Sequence, residues 1–182
     1  MPAELARVLA DVMGDGEFSR EMTRFATAFA AYRERLPVVP HAYSRTRLAI
    51  APEYEIVAMN WAPLSVSPIH DHGASRCWVL MLEGALDVQN YACDAGEIDT
   101  DVVRLRERER IDLRAGDLDH RLAPTELHLV RNPSATDSAF SLQLYARPLG
   151  TYSVVDARSF RRRLVIPVLE LDLSNEPAKS PG

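Results

Sequence analysis

Cysteine is scarce in this chain: Cys77 and Cys93 are the two thiols among 182 residues. Two thiols cannot build the disulfide framework of a small secreted domain, and a reducing compartment leaves both free. Basic charge is also outweighed, with 21 Lys and Arg against 26 Asp and Glu, a formal charge of −5 and a pI near 5.5. That balance is unsuited to gripping phosphate backbones, so nucleic acid is not an expected partner. No stretch approaches the roughly 20 consecutive apolar residues of a membrane helix. The start, MPAELARVLADVMGDG, carries acids where a signal peptide needs a basic segment and an apolar centre. The expectation is a cytoplasmic protein with no membrane partner. The chain also lacks an internal repeat, a phosphate-binding glycine loop and a nucleophile elbow.

What is present is an ordinary globular composition, 47% apolar, 26% charged and 7% aromatic, in a length that suits one domain. In FSREMTRFATAFAAYRERL the apolar residues Phe18, Met22, Phe25, Phe29, Tyr32 and Leu36 recur every three or four positions, predicting a helix that Ser19 caps and Pro37 stops. A shorter helix is predicted over 3–13, ended by Gly14 and Gly16. After Pro40 the texture becomes short Val-, Ile-, Leu-, Thr- and Tyr-rich segments. Strands are predicted over 43–50, 54–61, 77–82, 86–91, 102–109, 117–122, 127–131, 140–145 and 152–156. So many short strands imply a barrel or sandwich. The run RLRERER reads as a solvated edge strand. The domain expectation is therefore a helical segment over 1–40 packed on a barrel over 41–172, with a flexible tail over 173–182.

The chemistry lies with the histidines, of which there are five. His70 and His72 are two apart, so an extended backbone sends both imidazoles from one face, where they can converge on a metal ion. Two downstream histidines compete to complete the set. His128 is centred on an apolar strand, whereas His120 in GDLDHRL faces water between charged neighbours, so His128 is the better candidate. His41 reads as a loop residue.

The His-x-His pair followed by Gly84, then a proline turn, a single histidine and Asn132-Pro133, resembles the two-motif pattern of the cupin barrel. More narrowly, PIHDHGASRCWVLMLEGAL and LHLVRNPSATDSAFSLQLYARP, with YSRTRL upstream, are similar to the thiol dioxygenases, and especially to the cysteine dioxygenase family, over Tyr43 to Pro148. The resemblance implies an all-β cupin barrel (double-stranded β-helix, or jelly roll) with N-terminal helices. It also implies Fe(II) held by His70, His72 and His128, Cys77 standing where most cupins place a glutamate ligand. Three neutral ligands leave the ion's charge uncompensated and positions open, which suits an anionic, bidentate thiol and dioxygen.

The same resemblance implies roles around the metal. Arg45, in Tyr43-Ser44-Arg45, matches the arginine that binds the substrate carboxylate, with Tyr43 beside it; Arg47, on the same strand face, competes for the part. Tyr145 matches the active-site tyrosine, and Cys77 the cysteine that some members join to it as a thioether. On its strand, Ser141, Gln143 and Tyr145 alternate with Phe140, Leu142 and Leu144, so the polar set should look inward. Cys77 is an odd number of residues from His72, so Gly73, Ala74 and Ser75 must bend the chain if its thiol is to look inward too. Gln143 stands where the resembling enzymes carry a histidine in a serine-histidine-tyrosine relay, and an amide can hydrogen-bond but cannot titrate. Cys93 reads as a turn thiol. The arginines Arg158, Arg161, Arg162 and Arg163 read as a solvated face, with a carboxylate contact as the other possibility.

The expectation is a non-haem iron(II) dioxygenase that adds O2 to the sulfur of L-cysteine to give cysteine sulfinic acid, a monomer or weak homo-oligomer. The alternatives are a dioxygenase for another small thiol acid such as 3-mercaptopropionate, and a non-catalytic metal-binding cupin. Zinc hydrolysis is disfavoured because no matched position offers a carboxylate base.

Overall fold

The computed structural model describes residues 16–93, 101–121 and 126–175, with 6, 7, 10, 11, 13 and 14 before them. Of the predicted helix over 3–13, positions 6, 7, 10, 11 and 13 are helical, and Gly14 turns the chain at φ = +84°. The remainder of that helix, and the predicted tail from 176 on, lie outside the described residues. The longer predicted helix starts one residue early and is broken into α1 (Glu17–Thr27), α2 (Phe29–Tyr32) and a 3-10 turn (Arg33–Arg35). Gly16, not Ser19, is its N-cap; Ser19 sits further in, its Oγ accepting the Gly16 N–H at 3.3 Å and donating to the Gly16 carbonyl at 3.1 Å.

Twelve strands follow: β1 (Tyr43–Ile50), β2 (Tyr54–Trp61), β3 (Ile69–His70), β4 (Arg76–Glu83), β5 (Ala85–Ala92), β6 (Arg106–Arg114), β7 (Leu118–Arg121), β8 (Glu126–Arg131), β9 (Ala139–Ala146), β10 (Tyr152–Val155), β11 (Arg162–Val165) and β12 (Leu171–Asp172). They form two six-stranded sheets, ordered β12-β1-β2-β9-β4-β7 and β11-β10-β3-β8-β5-β6. Strands β3, β11 and β12 were not expected: β3 and β12 have two residues each, too few for a period to register, and β11 begins in the arginine run read as a solvated face. The strand expected over 102–109 lies further along, as β6. Its charged run RERER is exposed at the edge of the second sheet, as its composition requires. Among the described residues no helix is long and apolar enough to cross a membrane.

Every residue of β2 is buried, an unusual fate for an antiparallel strand. The cause is that the first sheet is covered on both faces. Its outer face, carrying Ile56, Leu80, Phe140, Leu142 and Leu144, packs under the helical stripe of Met22, Phe29 and Tyr32. Phe29 lies on Phe140 with ring centroids 5.5 Å apart, and Phe18 meets Tyr54 edge-on at 5.8 Å. Met22 has no exposed surface. Met22→Ala is expected to cost about 2–5 kcal/mol by the lost transfer energy and the cavity left behind. Chemical denaturation should register that loss, while metal binding on the far side of the sheet stays unchanged.

The inner face follows from the alternation of β9. Ladder pairing sets Glu55, Tyr145, Cys77 and Arg121 side by side on β2, β9, β4 and β7, and Val57, Gln143, Val79 and Asp119 on the next rung. In the second sheet His70, His128 and Asn90 are successive partners on β3, β8 and β5. The two rows face one another across the barrel interior.

Candidate metal centre

His70 ends β3 and His128 lies within β8 as its direct ladder partner, while His72 follows on the loop leaving β3. Asp71, between the pair, points the other way: its Oδ1 accepts the N–H of Gly73 at 2.9 Å and of Ser153 on β10 at 2.8 Å. Gly73 then turns the chain at φ = +55°, with Thr151 O 2.4 Å from where a Cβ would stand. Only glycine fits there, and the turn supplies the bend that the odd spacing of His72 and Cys77 demanded. Cys77 is fully buried and looks inward.

The three imidazoles offer ligand atoms all within 4.8 Å of one another. His72 and His128 are buried and His70 half-buried. Nδ1 of His70 lies 2.9 Å from the Pro68 carbonyl and Nδ1 of His128 3.4 Å from the Glu126 carbonyl, so these nitrogens donate and the Nε2 lone pairs are left for a ligand. Burial lowers all three pKa values, that of His70 from 6.5 to about 4, and the neighbouring imidazoles lower those of His72 and His128 further. Three neutral imidazoles, two of them with the tautomer set by a backbone carbonyl, are a donor set suited to a divalent transition metal.

The same burial has a cost in acid. The unfolded chain takes up these protons below its ordinary histidine pKa while the folded chain refuses them until lower pH. Stability of the metal-free protein is therefore expected to be full above about pH 6.5 and to decline as pH falls toward about 4. Urea midpoints of chelator-treated protein across that range check it.

The other expected residues gather around the imidazoles. Tyr145 is buried, its ring 5.4 Å from that of His72. Its hydroxyl donates to Oε1 of Gln143 and accepts from Nη1 of Arg45 at 3.4 Å. Cys77 is its ladder partner on β4, the thiol within hydrogen-bonding reach of the phenol, and burial pushes both pKa values up. Arg45 is 8% exposed and lines the cavity; its Nε and Nη2 are buried without a hydrogen-bond partner. Arg47 does not compete for this place, because its guanidinium is committed to Glu55 and Asp172, each at 2.8 Å. Tyr43 lines the cavity with its ring on Trp61, centroids 4.9 Å apart. Ser141 faces inward but receives the indole N–H of Trp61 at 3.0 Å, so the short relay here runs from Tyr145 to Gln143.

His120 is exposed on β7 and His41 on a turn, as read from their contexts. Cys93 is half-buried after β5, with Nη2 of Arg162 3.5 Å from its sulfur, while Arg158, Arg161 and Arg163 are exposed. The structure adds residues that no motif marked. Tyr152 on β10 lines the cavity, its ring 6.0 Å from that of His70. Asp119 and Arg121 line it as an ion pair, and Arg121 also donates to Oδ1 of Asn90 at 2.6 Å.

With this geometry in place, the comparisons are specific. The family described as Cysteine dioxygenase type I matches residues 19–158. The chain belongs to that family. Among curated relatives, cysteine dioxygenase type 1 of Bos taurus is 31% identical over 114 residues, covering 63% of this chain and 55% of that protein. The Homo sapiens enzyme of the same name is 28% identical over 113 residues, covering 62% and 54%. The chain thus spans about half the length of the curated cysteine dioxygenases it matches. Among solved structures, a protein of Klebsiella pneumoniae with a double-stranded β-helix domain aligns with TM-score 0.50 at 14% identity, covering 68% of this chain and 93% of that one. Peruvianin-I, described as a cysteine peptidase from Thevetia peruviana latex, aligns with TM-score 0.51 at 16% identity, covering 68% and 74%. These two likenesses concern the fold alone, and function in this cysteine dioxygenase relative has to be argued from its site.

Proposed function

We propose that this chain is an iron(II)-dependent thiol dioxygenase whose first-choice substrate is L-cysteine. Membership of the cysteine dioxygenase family, whose named relatives act as dioxygenases, supports the reaction class. Arg45 supports a substrate carrying a carboxylate: a buried guanidinium with two unpartnered nitrogens beside the imidazoles needs an anion, and a carboxylate matches its fork. The reaction is R–SH + O2 → R–SO2H, in which the four electrons given up by sulfur are the four taken by dioxygen.

His70, His72 and His128 would hold ferrous iron, which when bound would supply the redox and Lewis-acid chemistry of the reaction. The chain's own residues do the rest. Arg45 fixes the carboxylate, and with it the direction in which the sulfur points, converting a three-body encounter into an intramolecular one. The Tyr145 hydroxyl, oriented by Arg45 and Gln143, holds a proton beside the imidazoles. Gln143 receives that hydroxyl's hydrogen bond without taking the proton, so proton movement stays with the phenol. Cys77 lies where a thioether to Tyr145 would form, recognisable as an intact mass two hydrogens below that of the sequence.

Oxygen-electrode assays of anaerobically iron-loaded protein test the reading. Oxygen uptake with L-cysteine, with sulfinate formed in equal amount, is the expected result. A faster rate with 3-mercaptopropionate moves the assignment to a thiol acid without an amine. No uptake with any thiol, although iron is bound, overturns the enzyme reading in favour of a metal-binding cupin.

A further inference from the structure

Among the described residues that line the cavity, Asp119 is the one carboxylate. It stands on β7 beside Val79, one rung from the row that carries Cys77 and Tyr145. A carboxylate free to move in such a place is drawn to a divalent cation held by neutral ligands. Asp119 is not free to move. Its Oδ2 is paired with Nη2 of Arg121, whose Nη1 donates to Oδ1 of Asn90 at 2.6 Å. Asn90 belongs to the opposite sheet and is the ladder partner of His128. The guanidinium is thus tethered at both ends across the gap between the sheets. The Arg121 and Asp119 side chains are 8% and 15% exposed, so solvent screens the pair little.

We propose that Arg121 is a positioning residue which holds Asp119 off the metal, keeping the coordination sphere free of a protein carboxylate and its remaining positions open to substrate. The inference rests on the reading that the three histidines bind a divalent metal, and not on which thiol is oxidised. The fork geometry matters, because a lysine could meet Asp119 or Asn90 but could not span both with a rigid plane.

Co(II) titration of the purified full chain tests this without turnover, the visible bands reporting coordination and competition with a chelator reporting affinity. Arg121→Met is expected to give weaker bands of higher coordination and to tighten Co(II) binding by at least about tenfold as Asp119 joins the metal. Arg121→Met combined with Asp119→Asn is expected to restore the wild-type spectrum and affinity, a rescue that a merely structural role for Arg121 does not produce. Asp119→Asn alone should leave both unchanged; if Arg121→Met does not fold, Arg121→Gln, which keeps a polar side chain but removes the charge that pairs with Asp119, is expected to shift bands and affinity in the same direction, and wild-type behaviour there overturns the proposal. Wild-type bands and affinity in Arg121→Met, a double variant as perturbed as the single one, or an altered Asp119→Asn spectrum each overturn the proposal. A wild-type chain that binds no Co(II) overturns it together with the metal reading, whereas Co(II) binding without thiol oxidation removes the dioxygenase reading alone.

Discussion

His128→Ala is expected to abolish oxygen uptake and to cost more metal affinity than the ~10–100-fold typical of an outer-shell change. Two imidazoles remain in that variant, on a short strand and the loop behind it, and the ion loses the ligand that comes from the middle of β8. Metal content after dialysis, measured beside the oxygen-electrode rate, checks both halves. His120→Ala is the matched control: His120 is exposed on β7 and should leave metal content and rate intact. Retained metal and turnover in His128→Ala would refute the ligand set.

Arg45→Gln has the second largest expected effect, and it should move activity and stability in opposite directions. The guanidinium is buried with Nε and Nη2 unpartnered, a costly arrangement that a bound anion relieves. Losing one partner of such a charge-assisted pair typically costs about 2–5 kcal/mol, so kcat/KM for L-cysteine is expected to fall about 100-fold, mainly through KM. A thiol lacking the carboxylate, such as cysteamine, should lose little. The same substitution removes an uncompensated buried charge, so the unliganded variant should unfold at a higher temperature than the parent. A kcat/KM that falls equally for both thiols would show that Arg45 does not read the carboxylate.

The parts of the fold that could be read from residues are those whose signal is local. β1 and β2 begin and end where Pro, Gly and β-branched residues said they would, and the polar-apolar alternation of 140–145 correctly divided the helix-covered face from the inner one. The His-x-His spacing had a geometric meaning before any coordinates. What resisted reading was non-local. Asn90 and Arg121 are 31 residues apart and meet only because β7 and β5 close the barrel from different sheets. In sequence, Asp119 and Arg121 look like the charged neighbours of an exposed histidine. The choice between Arg45 and Arg47 needed Glu55 and Asp172, which lie on neighbouring strands. The boundaries of β6 were missed because its first half, RERER, carries no apolar face, its place being set by the ladder to β5.

That charged border has a consequence for how copies of the molecule behave when crowded. Were two chains to zip their β6 edges antiparallel about Arg108, with both inner faces kept on one side, Arg108 would oppose Arg108 and Glu107 would oppose Glu109. Like charges directly opposite repel, so the register that would extend one sheet seamlessly into another is the one that the alternating signs forbid.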